Sequence, residues 1–277
     1  MQALADSPGC MSLITQLLLL AALMAPVMAL GWLWQERHTN AGIVDVLWSL
    51  GLGLAAVLTA FTGSGALTRR YVLAVLGGAW AVRLALHLWR RVRGEREDGR
   101  YQQLRSHWST GTRWKFFLFF QFQAMLVVLF ALPFVAVARN PIGGVTPALG
   151  IALVIWVGSV AGESIADAQL ARFRRDPVNR GHTCRQGLWR YSRHPNYFFE
   201  WLHWFTYVAL AWGSPSIVLA WVGPVLMYVF LRWISGIPFT EAQGLRTRGE
   251  DYRDYQRTTS MLFPWFPKSS ASARCTP

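Results

Sequence analysis

The sequence predicts an all-α, polytopic integral membrane protein with seven transmembrane helices, its amino terminus outside and its carboxyl terminus cytoplasmic. Three observations carry that expectation. Of the 277 residues, 53% are hydrophobic and only 15% are charged, a balance too apolar for an ordinary soluble domain. Apolar runs recur along the whole length, each close to the roughly 20 residues a helix needs to cross a hydrocarbon core of about 30 Å. The Arg residues gather in the connections between those runs, where cytoplasmic loops of membrane proteins carry them. That distribution also argues against reading the net charge of +13 as a nucleic-acid surface, and no nucleic-acid partner is expected.

The first span is Met11 to Trp34, with Gln16 its only strongly polar member. It is too long for a signal-peptide core and no positive charge precedes it. The second, Ala41 to Gly63, carries Asp45 near its start. Gly51 and Gly53 within it look like a fragment of a dinucleotide fingerprint, but no strand precedes them, so they are read as small residues for helix packing. The third, Tyr71 to Trp89, carries Arg83 and His87 one turn apart. Arg90 to Lys115 then holds eight basic residues together with Glu95, Glu97, Asp98, Arg100 and Tyr101, and reads as a solvated loop. Phe116 to Val137 is the fourth span, with Gln121 and Gln123. Pro147 to about Ala166 is the fifth, ending in Glu163 and Asp167 four residues apart.

A second basic segment runs from Arg172 to His194. The sixth span is Asn196 to Trp212, Gly213 to Ser216 is a tight turn, and Ile217 to Ile234 is the seventh span. The tail holds Glu241, Arg246, Arg248, Tyr252, Arg253, Tyr255 and Arg257, then the sequence PWFP. With seven spans, the loops at about 90–115 and 168–195 and the tail 235–277 share one side, which the positive-inside rule makes cytoplasmic. Arg69 and Arg70 fall on the other side and count against this arrangement. No repeat or soluble module interrupts the chain, so residues 1–277 read as one membrane-embedded domain. Cys10, Cys184 and Cys275 are far apart in sequence and form no metal or redox pair. No metal is expected, and nothing specifies an oligomer.

Chemistry concentrates between Gly187 and Trp204, in GLWRYSRHPNYFFEWLHW. This stretch starts wet and ends in lipid. Asn196, Glu200, His203 and Tyr207 follow one another at spacings of four, three and four, which puts them on one helix face. A carboxylate and an imidazole inside a membrane segment face a cavity or a partner. Arg83 and His87 face the interior on the same argument, or His87 reaches the nearby helix end. Asp45 either faces a cavity or sits in the favourable field of a helix amino terminus. Glu163 and Asp167 either pair with Arg172 or Arg174 or line a cleft with Arg174. In the loops, Arg forks grip phosphates, aromatic faces stack on bases and carboxylates accept from ribose. That inventory suits a charged, dinucleotide-like cofactor at the cytoplasmic surface.

The segment RYSRHPNYFFEWLHW, with DAQLARFRRDPVNRG before it, EDGRY in the earlier loop and the late EDYRDYQRTTSMLFPWFP, resembles the steroid 5α-reductase (3-oxo-5α-steroid 4-dehydrogenase) superfamily, particularly its short bacterial membrane members. The resemblance covers most of the chain from Asp45 onward. It implies a multi-pass oxidoreductase, in the inner membrane of a bacterial host. Such an enzyme uses NADPH to saturate the C=C bond of a lipid enone entering from the bilayer, foremost a Δ4-3-oxo steroid reduced to its 5α-dihydro product. Asn196 matches the family's cofactor-binding Asn, Asp167 and Arg174 its preceding Asp and Arg, Glu200 an acid one turn on, and Arg232 an Arg at the end of the last span. Glu97, Asp98, Arg100 and Tyr101 occupy the loop that holds the nucleotide. Arg190, Arg193, His194, Tyr197, Tyr252 and Tyr255 complete the expected cofactor set.

The eukaryotic steroid enzymes polarise the ketone with a Glu from helix two and a Tyr from helix three. Here Asp45 is the nearest acid and helix three offers His87, so Asp45 acting with His87 is the expected proton donor, with Glu200 as the alternative. The isoprenylcysteine and phospholipid methyltransferases, which bind S-adenosylmethionine, also carry RHP before a membrane helix. Their pattern continues to a paired Glu-Glu, where this chain has Glu241 alone in FTEAQ. A non-catalytic lipid-binding membrane protein is the third reading.

Overall fold

The structure, a computed structural model, describes residues 11–108 and 110–268. Every regular element among them is helical. Cys184 is buried and free, while Cys10 and Cys275 lie outside the described residues.

Six helical runs are long and apolar enough to cross a membrane. They are α1 (Leu13–His38), α2 (Ile43–Thr62), α3 (Leu67–Gly94), α5 (Thr112–Phe130) continued by α6 (Leu132–Ala138), α7 (Pro147–Arg175), and a run from Ile217 built of α10 (Ile217–Ala220), α11 (Val222–Val229) and a π-helical turn (Phe230–Ile234). The stretch expected as a sixth span, 196–212, is instead two short helices, α8 (Pro195–His203) and α9 (Phe205–Leu210).

Three further expectations need correction. The segment 90–115 is not simply a loop: α3 continues to Gly94, and α4 (Gly99–His107) forms a helix of its own, capped by the Asp98 carboxylate on the Arg100 N–H. α7 runs nine residues beyond Ala166, ending at Arg175 among Arg172, Arg174 and Arg175, cations that suit a helix carboxyl end. The tail folds into α12 (Ile237–Thr258), kinked at Gly249, whose φ of 53° is open to glycine.

The chain divides into two compact units, Met1–Ala152 with Tyr207–Gly223, and Leu153–Thr206 with Pro224–Pro277. In the first unit α2 is the most enclosed span, and its small residues allow the approach of its neighbours. A Cβ at Gly53 would stand 2.7 Å from that of Ala81 on α3, and one at Gly51 would stand 2.6 Å from the Met24 side chain on α1. The packing reading of Gly51 and Gly53 therefore holds.

At one end of this unit three connections meet around Asn140, which is fully buried. Its amide donates to the carbonyls of Leu210 (2.8 Å) and Trp212 (2.9 Å) and accepts from Ile142 N–H (3.0 Å), while its backbone carbonyl accepts from Ala66 N–H. Arg69 is buried against the Ile142 carbonyl and Thr146, and Arg70 donates to the carbonyls of Ala60 and Phe61 at the end of α2. The two cations that counted against the charge rule thus have local structural partners.

In the second unit α7 and α8 meet at Gly162, where a Cβ would stand 2.4 Å from the Phe199 ring. Phe263 in the tail sits on Phe198, Trp201 and Tyr228, which fastens the tail to α8 and α11.

Candidate functional site

The first cluster is in the unit that holds α7, α8 and α12. Gly187 opens a 3-10 turn (Gly187–Arg190) with φ 57°. Its missing Cβ leaves room for Gln169, whose side-chain oxygen accepts from Leu188 N–H at 2.9 Å. Trp189 donates from its indole to the Ala166 carbonyl (2.9 Å), and the Tyr255 hydroxyl bridges the carbonyls of Trp189 and Ser192. From the other side the tail adds backbone bonds, Arg193 N–H to Ser260 O (2.8 Å) and Trp265 N–H to Tyr191 O (2.9 Å). The segment 189–194 is therefore clamped by α7, α12 and the tail.

Glu241 is the hub of that clamp. Its carboxylate accepts from Arg193 Nε (2.8 Å) and Nη2 (3.3 Å), from His194 Nε2 (2.8 Å), from Tyr252 OH (3.1 Å) and from Gln256. Arg193 spends its remaining donors on the carbonyls of Gln256 (2.9 Å) and Thr259 (2.7 Å). Gly244 lets the Tyr252 ring in, for a Cβ there would stand 2.7 Å from it.

Burial alone would raise the Glu241 carboxyl, but the hydrogen bonds from His194, Arg193 and Gln256 bring it down to about 2. Burial lowers His194, against the pull of Glu241, so the imidazole is neutral at pH 7 and donates through Nε2. Burial and then the neighbouring carboxylate push the Tyr252 phenol up.

Below the clamp, α8 starts at Pro195. Asn196 donates to Asp167 (3.2 Å) and accepts from Tyr197 N–H (3.0 Å), and the His194 and Tyr197 rings stack with centroids 5.4 Å apart. Glu200 and His203 follow on α8, both buried, and Glu163 is buried on α7. Tyr207, expected on the same face, lies beyond the break at Trp204 in α9 and in the other unit, with its ring 4.7 Å from Phe134. Arg174 is exposed at the end of α7, and Arg232 lies in the π-helical turn over the Trp233 ring. Arg190 is exposed.

The second cluster lies in the unit that holds α1 to α6. Asp45, in the first turn of α2, accepts from Arg100 Nη2 (3.1 Å) and Tyr101 OH (2.8 Å). Asp98 accepts from Arg100 Nε (3.1 Å) and Arg91 (3.2 Å). Glu97 accepts from Ala41 N–H (2.8 Å) and Arg105 (2.9 Å). Burial would raise Asp98, but Arg100, with Arg91 behind it, holds the carboxyl below its usual range. Burial, then the Asp45 carboxylate, push Tyr101 well up. His87 sits half-buried on α3. A narrow cleft opens beside this cluster, lined by Asp45, Leu88, Arg91 and Asp98 among others.

Of the expected residues, Arg193, His194 and Tyr252 meet on Glu241, Asn196 meets Asp167, and Asp45 meets Arg100 and Tyr101, so Arg193, His194 and Asp45 are engaged with protein partners. Sequence reasoning missed Glu241 as a hub, and with it Gln256 and the Arg185 pair with Asp251 (3.0 Å) and Asp254 (2.8 Å). For the Arg185 pair a signal was there: Asp251 and Asp254 are three apart on one face of a helix.

Searches of curated proteins and of solved structures return no match. Residues 31–259 match the family described as protein of unknown function (DUF1295). The chain belongs to DUF1295, a steroid 5α-reductase-like family of membrane proteins.

Proposed function

We propose that the chain is an NADPH-dependent membrane reductase that saturates the C=C bond of a lipid enone, with a Δ4-3-oxo steroid as the substrate class to try first. The observation that carries this reading is α8, where Asn196 is bonded to Asp167 in the first turn and Glu200 and His203 are buried deeper in an otherwise apolar helix. Ionisable groups so placed are functional by default in a membrane segment. Membership of a steroid 5α-reductase-like family supports the same reading.

Seven crossings, with the amino terminus outside, accompany the proposal. In one unit the segment 189–194 is hydrogen-bonded to α12 and the tail, so all three share a side of the membrane. The chain leaves that side at Pro195 and is back by α12. The run of α10 and α11 accounts for one crossing, and the interrupted pair α8 and α9 supplies the other. The basic segments make the α12 side cytoplasmic.

The residues of this unit fit a pyrophosphate. Arg248 Nε and Thr183 Oγ1 are buried without a hydrogen-bond partner among the described residues, and Arg174 and Arg248 both bear on Cys184. Two guanidinium groups and a hydroxyl suit a phosphate pair. NADPH bound there supplies the hydride. Arg193 and His194, taken up by Glu241, act as positioning residues that fix the backbone from which Asn196 projects. Asp45 already accepts two hydrogen bonds, so we assign proton delivery to the enolate to Glu200, with His203 beside it.

The test is NADPH oxidation by the full chain in detergent with a Δ4-3-oxo steroid, alongside binding of NADPH and of S-adenosylmethionine. Enone-dependent oxidation is the expected result, with Glu200→Gln lowering kcat about 100-fold or more while NADPH still binds. Binding of S-adenosylmethionine alone would replace the reductase by a methyltransferase, and binding of neither would leave a lipid-binding protein.

A further inference from the structure

The tail beyond α12 presents a group of side chains that the reductase reading does not use. Trp265 is 72% exposed and Phe266 77% exposed, a large apolar surface for two adjacent residues. Their exposure is built rather than frayed. Trp265 N–H is bonded to Tyr191 O and Lys268 N–H to Thr258 O, and Phe263 is seated on Trp201 and Tyr228. Those rings belong to apolar helices, so the segment sits where α8 and α11 leave the bilayer. Trp233, also exposed, stands against Tyr228. Aromatic rings at that level are the mark of the membrane interface.

Beside the rings a cleft of about 330 Å³ is lined by Arg185, Arg190, Thr258, Pro267 and Lys268, with Asp254 the one acid. Asp254 is already taken by Arg185 at 2.8 Å. Arg190 and Lys268 are both exposed, and neither side chain has a hydrogen bond or ion pair among the described residues. Two uncommitted cations therefore stand next to two uncovered aromatic rings.

We propose that this cleft seats the headgroup of an anionic phospholipid of the cytoplasmic leaflet. The phosphate lies between Arg190 and Lys268, while Trp265 and Phe266 enter the interface among the upper acyl chains. The charge complements an anionic leaflet, and the rings supply what a site for soluble phosphate would have no use for. The site rests on the tail and the 3-10 turn alone and holds whether or not the chain is a reductase. It gives Arg190 a lipid partner in place of the cofactor.

The experiment uses the full chain purified in a mild detergent, with short-chain phosphatidylglycerol and phosphatidylcholine as probes. Phosphatidylglycerol is expected to bind about thirtyfold more tightly, the scale of two interfacial cations. Arg190→Gln with Lys268→Gln abolishes that preference, and Trp265→Ala with Phe266→Ala weakens both lipids while preserving it. None of these side chains is buried, and thermal unfolding checks that each variant folds. A preference that survives the double Gln variant overturns the proposal. So does displacement of phosphatidylglycerol by inorganic phosphate, which marks a soluble-phosphate site, or by NADPH, which returns Arg190 to the cofactor.

Discussion

Two polar hubs, Asn140 fully buried and Glu241 largely enclosed, organise the two units, and they solve the same problem with opposite chemistry. Asn140 ties three connections together with a neutral amide, giving its donors to the carbonyls of Leu210 and Trp212 and its acceptor to Ile142 N–H. Glu241 ties a basic segment to α12 with a charge, matched by Arg193 and bonded by three neutral donors, His194, Tyr252 and Gln256. The partners dictate the choice. Loop ends offer unpaired backbone groups, which an amide satisfies without desolvating any ion. The RHP segment brings a guanidinium that must be neutralised once enclosed. A charged hub is therefore the more damaging one to break.

The largest effect is expected from Glu241→Ala. Arg193 keeps its two carbonyl partners but loses its counter-charge in a site where its side chain is only 10% exposed. Breaking such a pair costs about 3 kcal/mol, read as a lower unfolding midpoint of the full chain in detergent. A loss below about 1 kcal/mol would mean the network behaves as solvated surface and would erase the contrast with Asn140.

The same hub gives the chain an acid-sensitive point that the amide hub lacks. Glu241 titrates at about 2 in the fold against an ordinary 4.5. Its stabilisation is thus full above pH 4.5 and drains away as pH falls toward 2. His194, lowered by burial from its usual 6.5, works in the same direction and begins earlier, since the unfolded chain takes up that proton first. The protection of the 189–194 amides against hydrogen exchange, after division by the intrinsic rate at each pH, should fall below about pH 6 and steeply below 4.5. Glu241→Gln should flatten the lower part of that profile, and the amides around Asn140 should show no such pH dependence. Equal acid sensitivity at both hubs would sink the argument.

Asn140→Ala comes next, at about 1–3 kcal/mol. It strands the Leu210 carbonyl in a fully buried place and takes a donor from the half-buried Trp212 carbonyl, but strands no charge. The ordering against Glu241→Ala is the sharper test, because both can be measured in one detergent by one method.

Hydropathy and charge made the helical membrane class legible, because the roughly 20-residue length of a bilayer span is written directly in composition. Asn196, Glu200 and His203 were legible from helical spacing, which survives until the break after His203. The break itself was not, since Trp204 and Phe205 are apolar and carry no breaker signal. Nor was the hub at Glu241. A lone Glu in a polar tail looks solvated until the kink at Gly249 folds Tyr252 and Gln256 back on it. Tertiary pairing over 47 or 48 residues, from Arg193 and His194 to Glu241, leaves no local trace.

The smallest expected effect separates two roles for Asp45. Its ion pair with Arg100 joins side chains 29% and 26% exposed, so Asp45→Asn should cost under about 1 kcal/mol of stability. The amide oxygen still accepts from Tyr101, but the amide nitrogen faces the Arg100 guanidinium, donor against donor. α4 loosens, and its amides should exchange a few-fold faster. If Asp45 only anchors α4, enone-dependent turnover falls less than about tenfold, far short of the loss expected at Glu200. A fall of about 100-fold or more, with cofactor binding intact, would move the proton donor from α8 to α2. It would make the pair with Arg100 and Tyr101 the resting state of a catalytic acid.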